Sequence, residues 1–271
     1  MQEFSLRPKS ANSYGRFLLL TFALSSLFYL LGALSQQQFL PGVPISAVMV
    51  LCPLAAALLL VYQTDRRAGV VELLKRSFDF QRSKAKVWYL PLLLLMPGVM
   101  TLEFGILRWF GSPIPLPQFS VLKVLGLLLA LFITALMEEL GWMGYAIEPM
   151  QARFGTLHAG ILLGLVWVAW HFIPLVQVGR SWDWMAWWSL YTVAQRVIIV
   201  WLYNRMGRSV FAATLYHTMM NLTWQLFPVN GSFYDPRITA LIVTLVAVIG
   251  TLASPGNAVV SEPPERGHLS L

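Results

Sequence analysis

The sequence predicts an all-α protein, a polytopic integral membrane bundle of about eight transmembrane helices, and three observations carry that prediction. Hydrophobic residues fill 57% of the 271 positions and charged residues only 11%, far too little charge for a soluble surface of this size. The mean hydropathy is +0.65. Apolar runs of about 20 residues, the length a helix needs to cross a hydrocarbon core, recur along the chain.

The elements follow in order. Residues 1–16 read as a cytoplasmic N-terminal segment, and 17–254 as the transmembrane domain. The first span, near 17–36, ends in Ala33-Leu34-Ser35, which resembles a signal-peptide cleavage site; the run is long for a signal core and further spans follow, so it is expected to stay uncleaved. The second span, near 44–63, holds Cys52, the single cysteine, so no intramolecular disulfide is possible. A basic loop, 64–86, comes next. Pro97 in the third span, near 87–109, predicts a kink, because neighbouring helices can satisfy the carbonyl it frees. The fourth span, near 120–147, carries the adjacent acids Glu138 and Glu139. The fifth and sixth lie near 157–177 and 184–204, and the tryptophans at 182–188 read first as an interfacial aromatic belt. The seventh, near 209–227, is short and contains His217, Thr218, Asn221 and Thr223, which a helix lined by protein partners tolerates. The eighth lies near 237–254. The tail, 255–271, mixes Pro, Gly and charge without periodicity and is expected to be disordered.

Positive charge sets the orientation, since cytoplasmic segments retain Lys and Arg. With the N-terminus inside, the inner segments hold 14 such residues and the outer ends only Arg108, Lys123, Arg180 and Arg237. Both termini are therefore expected in the cytoplasm. The net charge of +7 follows from this topology, and the 64–86 segment is expected to flank lipid headgroups rather than bind nucleic acid.

Ionised carboxylates are costly at membrane depth and usually mark a chemical or transport site. Besides Glu138 and Glu139, the spans offer Trp167-V-A-W-His171 and His217-T-M-M-Asn221. At 1.5 Å per residue Glu138 lies about 18 Å, His171 about 21 Å and His217 about 12 Å from the inner ends of their helices, depths compatible with one chamber. Trp167 and His171 share a helical face, as do His217 and Asn221, whereas Glu138 and Glu139 point about 100° apart, so at most one is expected to face the site squarely. The sequence contains no Gly-rich phosphate loop, H-E-x-x-H helix or cysteine-based metal motif, which removes several familiar enzyme classes.

These residues resemble the CAAX protease and bacteriocin-processing family (CPBP, or Abi) of intramembrane endopeptidases, whose pattern is E-E-x-x-x-R, then aromatic-x-x-x-H, then H-x-x-x-N. The likeness covers about 120–225, and the flanking EELGWMGYAIEPMQ and WVAWHFIPL look like bacterial members, implying a bacterial cytoplasmic membrane. The resemblance implies that Glu138 and His171 activate a water and that His217 and Asn221 stabilise the oxyanion, a chemically sensible division. Glu138, His171 and His217 could also be a zinc set, and members are often labelled metalloproteases, but a metal-free, glutamate-dependent reading exists for the resemblance and a tightly held zinc is not expected. The implied partners are a peptide or membrane-protein substrate and the lipid bilayer.

One position departs from the pattern: Met143 stands where the motif has Arg. A residue four beyond Glu139 could neutralise its carboxylate, and Met cannot. Glu139 is then either protonated or paired elsewhere, and Arg196, inside the sixth span beside Gln195, is the candidate cation. The departure keeps a second reading open, a catalytically impaired relative that binds a peptide or partner as an immunity or assembly factor. A third is a transporter using Glu138, Glu139 and Arg196 as a relay. Glu103 reads as a packing or pore-lining residue, and His158 and His268 as solvated.

Overall fold

The computed structural model describes residues 13–35, 37–40, 43–83, 85–227 and 231–253; the 255–271 tail and the first 12 residues of the N-terminal segment lie outside them. Helices dominate: α1 (Ser13–Ser35), α2 (Cys52–Lys75), α3 (Tyr89–Trp109), α4 (Val121–Gly141), α5 (Ile147–Phe154), α6 (Thr156–Gln177), α7 (Trp182–Arg205), α8 (Val210–Leu226) and α9 (Pro236–Leu252). A wide π-turn, Trp142–Ala146, joins α4 to α5 without a break, so the described residues form eight rods. Five rods are long and apolar enough to cross a membrane, Ser13–Ser35, Ile45–Phe78, Lys86–Trp109, Val121–Phe154 and Thr156–Gln177. Their outward leucines, such as Leu122 and Leu129, are exposed, as expected of surfaces solvated by lipid. The protein is an integral membrane helical bundle.

Two boundaries differ from the sequence expectation. The second rod does not stop near 63: a 3₁₀ segment, Ile45–Leu51, leads into α2, which runs on to Lys75 through a break at Arg66. Arg, Leu and Lys are good helix formers, so the charge in 64–75 marks the end of the apolar stretch rather than the end of the helix. The fourth rod likewise continues to Phe154, where Gly155 at φ 75° turns the chain into α6. A small antiparallel ribbon, β1 (Gln38–Leu40) with β2 (Val43–Pro44), follows α1.

Helix ends are fixed by side chains. Ser181, Ser209 and Asp235 accept backbone N–H bonds from Trp184, Ala212 and Arg237 at the starts of α7, α8 and α9, which satisfies donors that otherwise lack an intrahelical partner. Helix α4 packs against α2 and α8, and α7 against α6 and α9. Small residues set these approaches. A Cβ on Gly141 would lie 2.6 Å from Pro53 of α2, and one on Gly164 of α6 would lie 2.9 Å from the Val193 Cα of α7. The α1 rod is tied in by polar links too, Trp170 Nε1 to Ser25 Oγ at 2.7 Å and Tyr29 Oη to the Trp170 carbonyl at 2.6 Å. Glu103 of α3 accepts hydrogen bonds from Thr239 Oγ1 and the Asp235 backbone N–H, so it joins α3 to the start of α9.

Candidate active site

Glu138 and Glu139 lie in the last turn of α4, immediately before the π-turn, and both are buried. Such wide turns inside helices occur frequently at functional sites. Trp167, on α6, donates its indole Nε1–H to Glu138 Oε2 at 2.9 Å. On the other side Arg196 of α7 donates through one nitrogen to both oxygens of Glu139, at 2.9 and 2.8 Å. His217 of α8 reaches the same carboxylate, Nδ1 to Oε1 at 2.8 Å. The adjacent acids thus engage different partners, Glu138 through Trp167 and Glu139 through Arg196 and His217. The 100° between them is used rather than wasted, because α6 approaches α4 on one side and α7 with α8 on the other.

Trp167 sits at the centre. The Arg196 guanidinium lies 4.2 Å from its ring centroid, and His171 and His217 both meet it edge-on at 5.1 Å. Arg196 is fully buried, and its Nε and second terminal nitrogen have no hydrogen-bond partner among the described residues. The indole face therefore supplies part of what those donors lose in leaving water. A buried ion pair with one charge removed is costly, so Glu139 and Arg196 require each other.

The two histidines are held alike. His171 Nδ1 is 2.9 Å from the Trp167 carbonyl, which can only accept, so the hydrogen is on Nδ1 and the Nε2 lone pair is free. His217 Nδ1 faces a carboxylate whose other contacts are Arg196 donors, which again assigns the hydrogen to Nδ1. An outer partner that fixes the tautomer is the usual way a protein presents an imidazole nitrogen for chemistry. His171 is half-buried and His217 buried. Asn221, one turn beyond His217 on α8, is half-buried, and its amide makes no hydrogen bond among the described residues. Met143 is fully buried within the π-turn, and the cation next to Glu139 comes from α7 instead.

Both Glu139 oxygens are engaged, and among the described residues no three His, Cys, Asp or Glu side chains converge as a metal set.

A second polar network, not legible in the sequence, lies at the far ends of these helices. Arg76, in the 3₁₀ turn after α2, donates to the Gly144 carbonyl in the π-turn at 3.0 Å, to Tyr203 Oη at 2.7 Å and to the Arg208 carbonyl at 2.9 Å. Asp79 accepts from Ser209 Oγ and from the backbone N–H groups of Val210 and Phe211 at 2.6, 3.1 and 3.0 Å. A carboxylate at a helix N-terminus is favourable. The two residues thus fasten the π-turn, α7 and α8 to one loop. In the sequence Arg76 counted only towards topology.

Two comparisons with known proteins place the chain among relatives. Residues 120–223 match the family "Type II CAAX prenyl endopeptidase Rce1-like", a stretch that contains Glu138, Glu139, Trp167, His171, Arg196, His217 and Asn221. Over 251 residues the chain is 27% identical to "CAAX prenyl protease 2" of Methanococcus maripaludis, covering 86% of this chain and 92% of that protein. With an eight-rod bundle and Glu138, Glu139, Trp167, His171 and His217 drawn into one cluster, these two likenesses support the CPBP family of intramembrane proteases for this chain.

Proposed function

We propose that this protein is a metal-independent endopeptidase that cuts the tail of a peptide or membrane protein inside the bilayer. The observation that carries the reading is the convergence on Trp167: its indole N–H holds Glu138, and His171 and His217, each held through Nδ1, pack edge-on against its ring. Glu138, held on one oxygen by Trp167, and His171, packed on the same indole, form the water-activating pair. The carboxylate accepts the proton of a water as it attacks the scissile carbonyl, and the same proton passes to the leaving amine. His217 and the uncommitted amide of Asn221 then face the developing oxyanion as donors.

The impaired-relative reading rested on Met143. It loses weight because Glu139 has its cation, supplied by Arg196 at 2.8 Å. The relative is named a CAAX prenyl protease, and a lipid-anchored tail suits a site walled by membrane helices. The test is cleavage of a peptide library by purified protein with and without chelator, with Glu138→Ala and His171→Ala as controls. Cleavage by the wild type that is lost in both variants is expected; equal turnover in all three refutes the proposal.

A further inference from the structure

We infer that Arg180 anchors the C-terminal carboxylate of the substrate, at the end of an aromatic-walled path that starts at His171. This inference rests on the protease reading and adds the residue that selects a chain end. The wall of side chains is continuous. His171 meets Trp188 at 5.6 Å, Trp188 stacks on Trp184 at 6.3 Å, and the Arg180 guanidinium lies 4.6 Å over the Trp184 ring. Each of these residues is half-buried, so each keeps a face for a ligand. Tyr234 closes the far side, 6.3 Å from Trp184, and its buried hydroxyl has no hydrogen-bond partner among the described residues.

Charge points to the occupant. Of the nearby acids, Asp235 caps α9 and pairs with Arg237 at 3.0 Å, and the exposed Asp183 forms no ion pair with Arg180 among the described residues. Arg180 forms no ion pair among the described residues, and its side chain rests on an indole instead. An arginine and a phenol hydroxyl within electrostatic range of each other offer donors to a planar anion. The one negative charge that every peptide tail carries, whatever its sequence, is its terminal carboxylate. Length agrees as well, since the three contacts at 5.6, 6.3 and 4.6 Å are covered by at most about five extended residues at 3.3–3.6 Å each. The rings would hold the apolar residues between the scissile bond and the chain end.

The probe is a pooled peptide library made in two forms, with a free C-terminal acid and with a C-terminal amide. Wild-type protein is expected to cleave the acid form about tenfold faster in kcat/KM, mainly through KM, as fits one charge-assisted pair. In Arg180→Gln the acid-to-amide ratio should fall to about one, and Arg180→Lys should recover part of it. A ratio near one in the wild type, or a ratio that persists in Arg180→Gln while both rates fall together, overturns the anchor and leaves the protease reading standing. If neither pool is cleaved, the protease reading fails, and binding decides the anchor. An acetylated Ala-Val-Leu-Leu tetrapeptide, as acid and as amide, is titrated against Glu138→Gln protein with and without Arg180→Gln. Tighter binding of the acid that vanishes with Arg180→Gln supports the anchor, and equal binding of both forms refutes it.

Discussion

At the scale of single residues, the adjacent glutamates have separate duties. Glu138 keeps one oxygen without a protein hydrogen bond, whereas Glu139 has both occupied by Arg196 and His217. Glu138→Gln is therefore expected to retain the wild-type unfolding temperature in detergent while cleavage falls by about 10²- to 10⁴-fold, the usual range for a lost general base. Glu139→Gln should act differently: it strands a buried guanidinium and is expected to cost about 3–5 kcal/mol, read as a lowered unfolding midpoint, with activity lost alongside. Arg196→Met leaves the opposite charge unpaired at a similar cost. Adding Met143→Arg to Arg196→Met should recover part of the stability, because residue 143 is one turn from Glu139; on the wild-type background Met143→Arg should only destabilise, since the site is fully buried and already has its cation. Rescue is the informative comparison, as a merely overpacked site would be worse in the double variant. The acids, both histidines and Asn221 were legible in the sequence because charge and imidazole are conspicuous in apolar runs. Trp167 as the common floor was not, since its pairings with Glu138 and His217 cross 29 and 50 residues and nothing local encodes them.

At the scale of elements, the site depends on how closely α4, α6 and α7 approach. Gly164 lets α6 meet α7 at the level of Arg196, whose Cβ would lie 3.3 Å from an added methyl. Gly164→Ala is expected to push the Trp167 helix off the Arg196 helix and to lower cleavage by more than the unfolding midpoint implies, which paired activity and melting measurements would read. A change of equal size in both would assign the glycine to packing alone. Most rods could be placed from hydropathy, since the first, third and fifth spans are bounded by turn residues or charge. The last part of α2 could not, because its arginines and lysine were read as a loop although they favour helix. Helix α7 was placed from flanking runs despite Asp183, Gln195 and Arg196, and it is not among the rods apolar enough to count as spans by composition. Gln195 and Arg196 are buried against protein, which a composition average cannot register.

At the scale of the whole molecule, a single loop fastens three of the rods that build the site. Arg76 holds the π-turn through Gly144, and Asp79 caps α8, which carries His217. Asp79→Asn is expected to cost about 0.5–2 kcal/mol, the range for a lost helix cap, and hydrogen exchange should rise first at the start of α8; unchanged exchange there would show that Ser209 caps alone. Chelation is a test at the same scale: because no metal set converges among the described residues, added chelator is expected to leave cleavage intact, and loss restored by zinc would contradict the mechanism. The Arg196–Glu139 pair has a further consequence, for biogenesis. The acid and its cation are separated by 57 residues, about 3 to 11 seconds of synthesis at roughly 5–20 residues per second. During that interval α4 emerges carrying a carboxylate without its countercharge. Lateral release of the nascent rods into lipid is then favoured only after α7 has been made, so truncation just before Arg196 should leave a ribosome-bound chain that stays crosslinkable to the insertion machinery, and truncation beyond α8 should release it.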